Sequence, residues 1–160
     1  MSMSAGRVAL SVVGALGALT GLFALVISGG MSHWLVFGAV LIASGLLLLW
    51  TGLRGPLPGP PAWVAIVVLT LAGLAVSLLV VRERVCCMFV YHHDLGYPWS
   101  WLLSYAEAET MPAVEEIRAR AADLPKHVHR GRFMAATAFW AGVALLLVLP
   151  VTLLRRRPAH

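Results

Sequence analysis

The residue types best suited to chemistry lie close together in one stretch near the middle of the chain: Cys86, Cys87, Met88, His92, His93 and Asp94. Thiolate and thioether sulfur bind soft ions such as Cu(I), and imidazole suits copper or zinc. We therefore hypothesise a copper or zinc site whose ligands are Cys86, Cys87, Met88, His92 and His93. His127 and His129 end the same segment and are placed to fold back towards it. The spacing gives the site little support, since the chain has no CxxC pair.

Thiol–disulfide chemistry is an alternative use of the same stretch. Cys86 and Cys87 are adjacent, so they pair with each other only through a strained ring. Free thiols, or bonds to other partners, are therefore the expected states. A vicinal disulfide acting as a redox switch stays open as a further alternative.

An aromatic cluster follows the histidines, at Tyr97, Trp99, Trp101 and Tyr105. Rings that carry one polar atom favour the boundary between membrane and water. We expect this segment to dip into the headgroup layer and to cap a helical bundle. The functional alternative is a rim that binds a lipid or a quinone.

The elements that must position these residues are four uncharged hydrophobic blocks. Hydrophobic residues make up 60% of the 160 residues and charged residues only 12%, about half of the ~25% usual in soluble proteins. Blocks of about twenty apolar residues are long enough to cross a bilayer. The pattern predicts an all-α integral membrane protein, one domain over residues 1–160, with transmembrane helices at about 8–28, 34–53, 63–81 and 133–154.

Residues 82–132 form the one long segment outside these blocks. Val114, Ile117, Ala121 and Leu124 recur at helical spacing and predict a short amphipathic helix. We expect this helix to lie on the membrane or against a partner. All seven acidic residues lie between Glu83 and Asp123, and seven basic residues lie between Arg82 and Arg132, so the segment 82–132 has no net charge.

The remaining basic residues flank the hydrophobic blocks, at Arg7, Arg54 and Arg155–Arg157. With four spans these positions share one side, which the positive-inside rule places in the cytoplasm. We therefore predict a plasma-membrane protein with cytoplasmic termini and an extracytoplasmic segment 82–132. The first block is longer than the usual apolar region of a signal peptide, so we expect it to be retained. The net charge of +5 then reflects topology and does not indicate nucleic-acid binding.

No ionisable residue lies inside the four blocks, which argues against ion-coupled transport. Phosphate-loop, zincin and serine-hydrolase motifs are also missing from the sequence. Small residues such as Gly14, Gly17 and Gly21 favour close packing with other helices. We predict a non-catalytic accessory or assembly subunit of a larger membrane complex, with no cofactor. Its expected partners are the lipid bilayer and other subunits or copies of itself, and its composition is typical of a GC-rich bacterial genome.

Overall fold

The computed structural model describes residues 4–87 and 89–155. In chain order its helices and strands are α1 (Ala5–Ile27), α2 (Ser32–Leu53), α3 (Pro60–Ser77), β1 (Val81–Cys86), β2 (Val90–Leu95), β3 (Leu102–Leu103), β4 (Tyr105–Glu107), α4 (Met111–Ala119), β5 (His127–Val128) and α5 (Arg130–Arg155). Within the described ranges, α1, α2, α3 and α5 are long and apolar enough to cross a membrane. The four predicted hydrophobic blocks fall largely on these helices.

The prediction of an all-α fold is wrong for part of the chain, because the segment between α3 and α5 contains a small antiparallel sheet. The strand order is β1-β2-β3-β5, and β4 also pairs with β2. These strands are only two to six residues long, so helical periodicity gives no sign of them. The segment that is predicted to dip into the headgroup layer consists of short strands and turns.

The chain divides into two compact units. One contains the residues up to Ala72 together with those from Ala138 onward, and the other is Gly73–Thr137. We call them the helical unit and the sheet unit. Each unit has its own buried apolar residues.

In the helical unit, α1 and α2 pack through a seam of small residues. A Cβ added at Gly14 would lie 2.5 Å from the backbone nitrogen of Leu49, and one added at Gly45 would lie 2.5 Å from that of Ala18. Only glycine allows the two backbones to approach so closely. The small residues of α1, which the sequence predicts to pack against other helices, pack against α2 of the same chain. The buried core beside this seam consists of Leu48, Ile66, Ala144, Leu145 and Leu149.

In the sheet unit, α4 packs on one face of the sheet. The predicted amphipathic helix ends at Ala119, and a 3-10 turn continues it over Ala121–Asp123. Val114 and Ala121 are buried against Tyr91 of β2, with Ile117 and Leu124 packed around them. The predicted apolar face is present, and Val114 and Ala121 of this face pack on the chain's own sheet. The expected contact of this helix with a membrane or a partner stays a prediction.

Candidate functional site

The cysteine cluster lies at the tip of the hairpin formed by β1 and β2, which pair antiparallel along their full length. Residues 87–89 connect the strands, and Phe89 adopts the left-handed region at a φ of 61°. Three-residue hairpin loops commonly end on a residue in that region. Met88, one of the predicted metal ligands, belongs to this connection and lies outside the described residues, as do Arg156 and Arg157 at the C-terminus.

Alternate side chains of the hairpin lie on opposite faces of the sheet. We call the face on which α4 packs the inner face, and the opposite one the outer face. On the outer face, Cys86 Sγ lies 3.3 Å from Nε2 of His92, its diagonal neighbour on β2. Arg84 Nη2 donates a hydrogen bond to Asp94 Oδ2 at 3.2 Å on the same face. A thiol and an imidazole are thus in direct contact beside an ion pair.

Two further rings extend this pair across the outer face. His92 is the cross-strand partner of Tyr105, with ring centroids 6.3 Å apart, and His127 follows at 6.2 Å from Tyr105. We call Cys86, His92, Tyr105 and His127 the outer row. His127 therefore reaches the same face as Cys86, as expected, but Tyr105 separates it from His92. His129 does not join the row and instead accepts a backbone hydrogen bond at the start of α5.

Glu83 is the charged centre of the inner face. Arg118 Nε on α4 donates to Oε2 of Glu83 at 3.0 Å, and His93 Nδ1 lies 3.6 Å from Oε1. Tyr91 is fully buried beside this carboxylate, in a contact looser than a hydrogen bond. The hydrogen bond from Arg118 lowers the pKa of Glu83 against a smaller opposing effect of burial. Burial, and then the charge of Glu83, raise the pKa of Tyr91.

The sheet separates the predicted metal ligands into two sets. Cys86 and His92 meet on the outer face, whereas His93 faces Glu83 on the inner one. The Cys87 thiol lies beside that of Cys86, and this contact raises the pKa of Cys86. Among the residues that the structure describes, no group of three or more His, Cys, Asp or Glu side chains is arranged to hold a metal ion. Two ligands of a tetrahedral zinc ion lie about 3.5 Å apart, so the pair of Cys86 and His92 fits one edge of such a site.

One of the four predicted aromatic rim residues is buried. Trp101 is only 9% exposed, and its Nε1 donates to Ser77 Oγ at 3.3 Å. Its ring is therefore packed inside the sheet unit. Tyr97 and Trp99 are half-buried, and Tyr105 belongs to the outer row. For these three residues a lipid or quinone rim stays a prediction.

The feature that sequence reasoning missed is the free edge of β1. All six residues of β1 are exposed, and in the described sheet the strand pairs only with β2. His93 and Ser104 exchange both of their backbone hydrogen bonds, at 2.9 and 3.2 Å, so His93 directs its backbone groups away from β1. In an antiparallel pair, two residues opposite each other both direct their backbone groups either towards or away from each other. Glu83 is the partner of His93 and therefore directs its backbone N–H and C=O groups away from the sheet, as do Val81 and Val85. The alternating apolar and charged residues VRERV were the available sign of such a strand.

Comparison with protein-family models, with curated proteins and with solved structures finds no match to this chain. A functional assignment must therefore come from the geometry of the chain itself. Two features of the sheet unit offer recognition or chemistry: the free edge of β1, and the contact between Cys86 and His92.

Proposed function

We propose that the chain is a non-catalytic subunit of a larger membrane assembly and that another polypeptide docks on the free edge of β1. The observation that carries this proposal is the set of unpaired backbone groups at Val81, Glu83 and Val85. An exposed strand edge is a template for one more strand, because each added residue pair forms backbone hydrogen bonds. An extended segment of a partner would continue the sheet beyond β1.

The charges on β1 argue against a second copy of this chain as that segment. An antiparallel pairing about a two-fold axis at Glu83 sets Glu83 against itself and Arg82 against Arg84. Registers centred on Arg82 or Arg84 set two arginines opposite each other. Like charges directly opposite destabilise a strand pair. Symmetric pairing centred on the charged residues of β1 is therefore disfavoured, and we infer that the partner is a different polypeptide with acidic or polar side chains opposite the arginines.

The apolar interior of the membrane helices supports a non-catalytic role. The ionisable residues of α1, α2 and α5 lie near their ends, at Arg7, His33, Arg130, Arg132 and Arg155, and α3 has none. Ion-coupled transporters instead keep carboxylates or cations inside the bundle. We infer a plasma-membrane location with both termini in the cytoplasm, because Arg7, Arg54 and the C-terminal arginines share one side of four spans.

Substitution of Val85 by proline tests the docking proposal. The N–H of Val85 points away from β2, so proline removes only the group that a partner would use, and edge strands tolerate proline at such positions. We expect Val85→Pro to lose the polypeptides that co-purify with the full chain in mild detergent. Val85→Thr keeps the N–H and should keep them. A folded Val85→Pro protein that retains the full assembly would overturn the proposal.

A second candidate function is the handling of a soft metal ion or of thiols by the outer row. The contact of 3.3 Å between Cys86 Sγ and His92 Nε2 favours it, because both atoms are exposed donors suited to copper or zinc. Cys87 and Met88 adjoin this pair in the sequence. A partner docked on β1 would approach the same hairpin and is a source of further ligands.

The two histidines of β2 form a matched pair for testing this candidate. We expect His92→Ala to lower the zinc or copper content of the purified full chain, and His93→Ala to leave it unchanged. Replacing both Cys86 and Cys87 by serine should remove the metal but leave the assembly intact. Equal metal content in wild type, His92→Ala and the double serine variant would eliminate the candidate without affecting the docking proposal.

A further inference from the structure

An apolar groove lies within the helical unit and is distinct from the sites described above. Its volume is about 560 Å³, and its walls come from all four long helices and the connection between α2 and α3: Gly6, Ala9, Leu10, Val13, Leu48, Leu57, Pro58, Trp63, Ile66, Ala141 and Leu145. Residues 6–13 of α1 span about 10 Å at 1.5 Å per residue. This length is about a third of a ~30 Å hydrocarbon core, so the groove is short enough to fit within a single leaflet.

Two arginines are placed at one end of the groove. Arg7 follows the lining residue Gly6, and its Nη1 lies 3.5 Å from the carbonyl oxygen of Gly52 near the end of α2. Arg54 follows directly after α2, three residues before the lining residue Leu57. The groove therefore has an apolar floor and a cationic end.

These two arginines have no carboxylate side chain to pair with in their own unit. All seven acidic residues of the chain lie between Glu83 and Asp123, which is within the sheet unit. Within the sheet unit, Arg84 pairs with Asp94 and Arg118 pairs with Glu83. The helical unit thus combines an apolar groove with cations that lack an acidic residue as counter-ion.

We propose that the groove binds one acyl chain of an anionic phospholipid, and that the lipid phosphate lies between Arg7 and Arg54. Basic pockets between membrane helices recognise anionic headgroups, with an attraction that corresponds to roughly fivefold in affinity for each arginine. Trp63, which is 38% exposed on the groove wall, is of the type that lies at headgroup depth. A zwitterionic lipid offers the same acyl chain, but its own cation cancels the attraction to the arginines.

Lipid competition measured by native mass spectrometry tests this proposal. The full chain in mild detergent is incubated with equal amounts of phosphatidylglycerol and phosphatidylcholine that have identical acyl chains. We expect phosphatidylglycerol adducts to exceed phosphatidylcholine adducts by at least about fivefold. The double variant Arg7→Gln/Arg54→Gln should bring the ratio close to one, whereas Arg84→Gln/Arg118→Gln, which removes equal charge from the sheet unit, should leave it unchanged.

A second pair of variants tests the groove itself. Ala9→Phe places a ring in the groove from an exposed position on α1 and should remove most of the bound lipid. Leu19→Phe changes a residue of the same helix that is 63% exposed and outside the groove, and it should bind lipid like wild type. Equal adducts of the two lipids on wild type would overturn the proposal. A preference for phosphatidylglycerol that survives in Arg7→Gln/Arg54→Gln would also overturn it. A preference that is lost equally in the control Arg84→Gln/Arg118→Gln would do the same.

Discussion

Arg118 Nε donates a hydrogen bond to Oε2 of Glu83 at 3.0 Å, and this contact fastens helix α4 to the edge strand β1. Arg118 also reaches Glu115 on its own helix at 3.5 Å. The free edge of β1 is therefore held in place from the inner face while its backbone groups point outward.

The first prediction concerns the ionisation of Glu83. Because the pKa of Glu83 is lower in the folded sheet than in the unfolded chain, ionised Glu83 stabilises the fold above the ordinary carboxyl pKa. This contribution disappears as the pH falls through the lowered pKa. We expect an NMR titration of the Glu83 carboxyl to give a value below the ordinary one, and Arg118→Gln to raise it. Arg120→Gln is the matched control, and an unchanged titration in Arg118→Gln would contradict the contact.

The second prediction compares two buried serines of the sheet unit. Ser77 Oγ accepts the Trp101 Nε1–H and donates to the carbonyl oxygen of Leu74 at 2.7 Å, whereas Ser104 Oγ has no hydrogen-bond partner among the described residues. We expect Ser77→Ala to lower the free energy of unfolding by about 1–3 kcal/mol, because it leaves the indole N–H unpaired. Ser104→Ala should be neutral or stabilising. Thermal unfolding in detergent measures both, and a larger loss in Ser104→Ala would contradict the described packing.

The third prediction concerns the glycine seam between α1 and α2. A methyl group at Gly14 meets the backbone of α2 at 2.5 Å, whereas one at Gly17, a single helical turn away, meets nothing closer than 3.7 Å. We expect Gly14→Ala to destabilise the helical unit by about 1–3 kcal/mol through overpacking. Gly17→Ala should be tolerated. Denaturant unfolding followed by tryptophan fluorescence distinguishes the two, and equal midpoints would show that the helices are not in this register.

The four long apolar helices could be predicted from sequence because each corresponds to one uncharged block whose length matches a bilayer. The sheet could not be predicted in the same way. The pairing of β3 with β5 joins Leu102 to Val128 and Leu103 to His127. A strand of two residues has no alternation to detect, and its partner is about 25 residues away. Non-local pairing of such short strands becomes evident only in three dimensions.

The candidate site was predictable in residue type but not in geometry. Cys86, His92 and His93 were selected because sulfur and imidazole bind soft metals. Which histidine meets Cys86 depends on the strand register, which sets the adjacent His92 and His93 on opposite faces. The alternation in VRERV indicates a strand, but that β1 is an edge strand depends on which strands pair with it, and this pairing is seen only in the fold.

The most direct test of docking on β1 is amide hydrogen exchange of this strand, compared between the assembly extracted from its own membranes and the chain purified alone. In the isolated chain, the outward N–H groups of Glu83 and Val85 should exchange fast, while that of Arg84, directed towards His92 of β2, should exchange slowly. In the assembly, we expect the amide groups of Glu83 and Val85 to exchange as slowly as that of Arg84. Fast exchange at Glu83 and Val85 in both samples would contradict a partner strand on this edge.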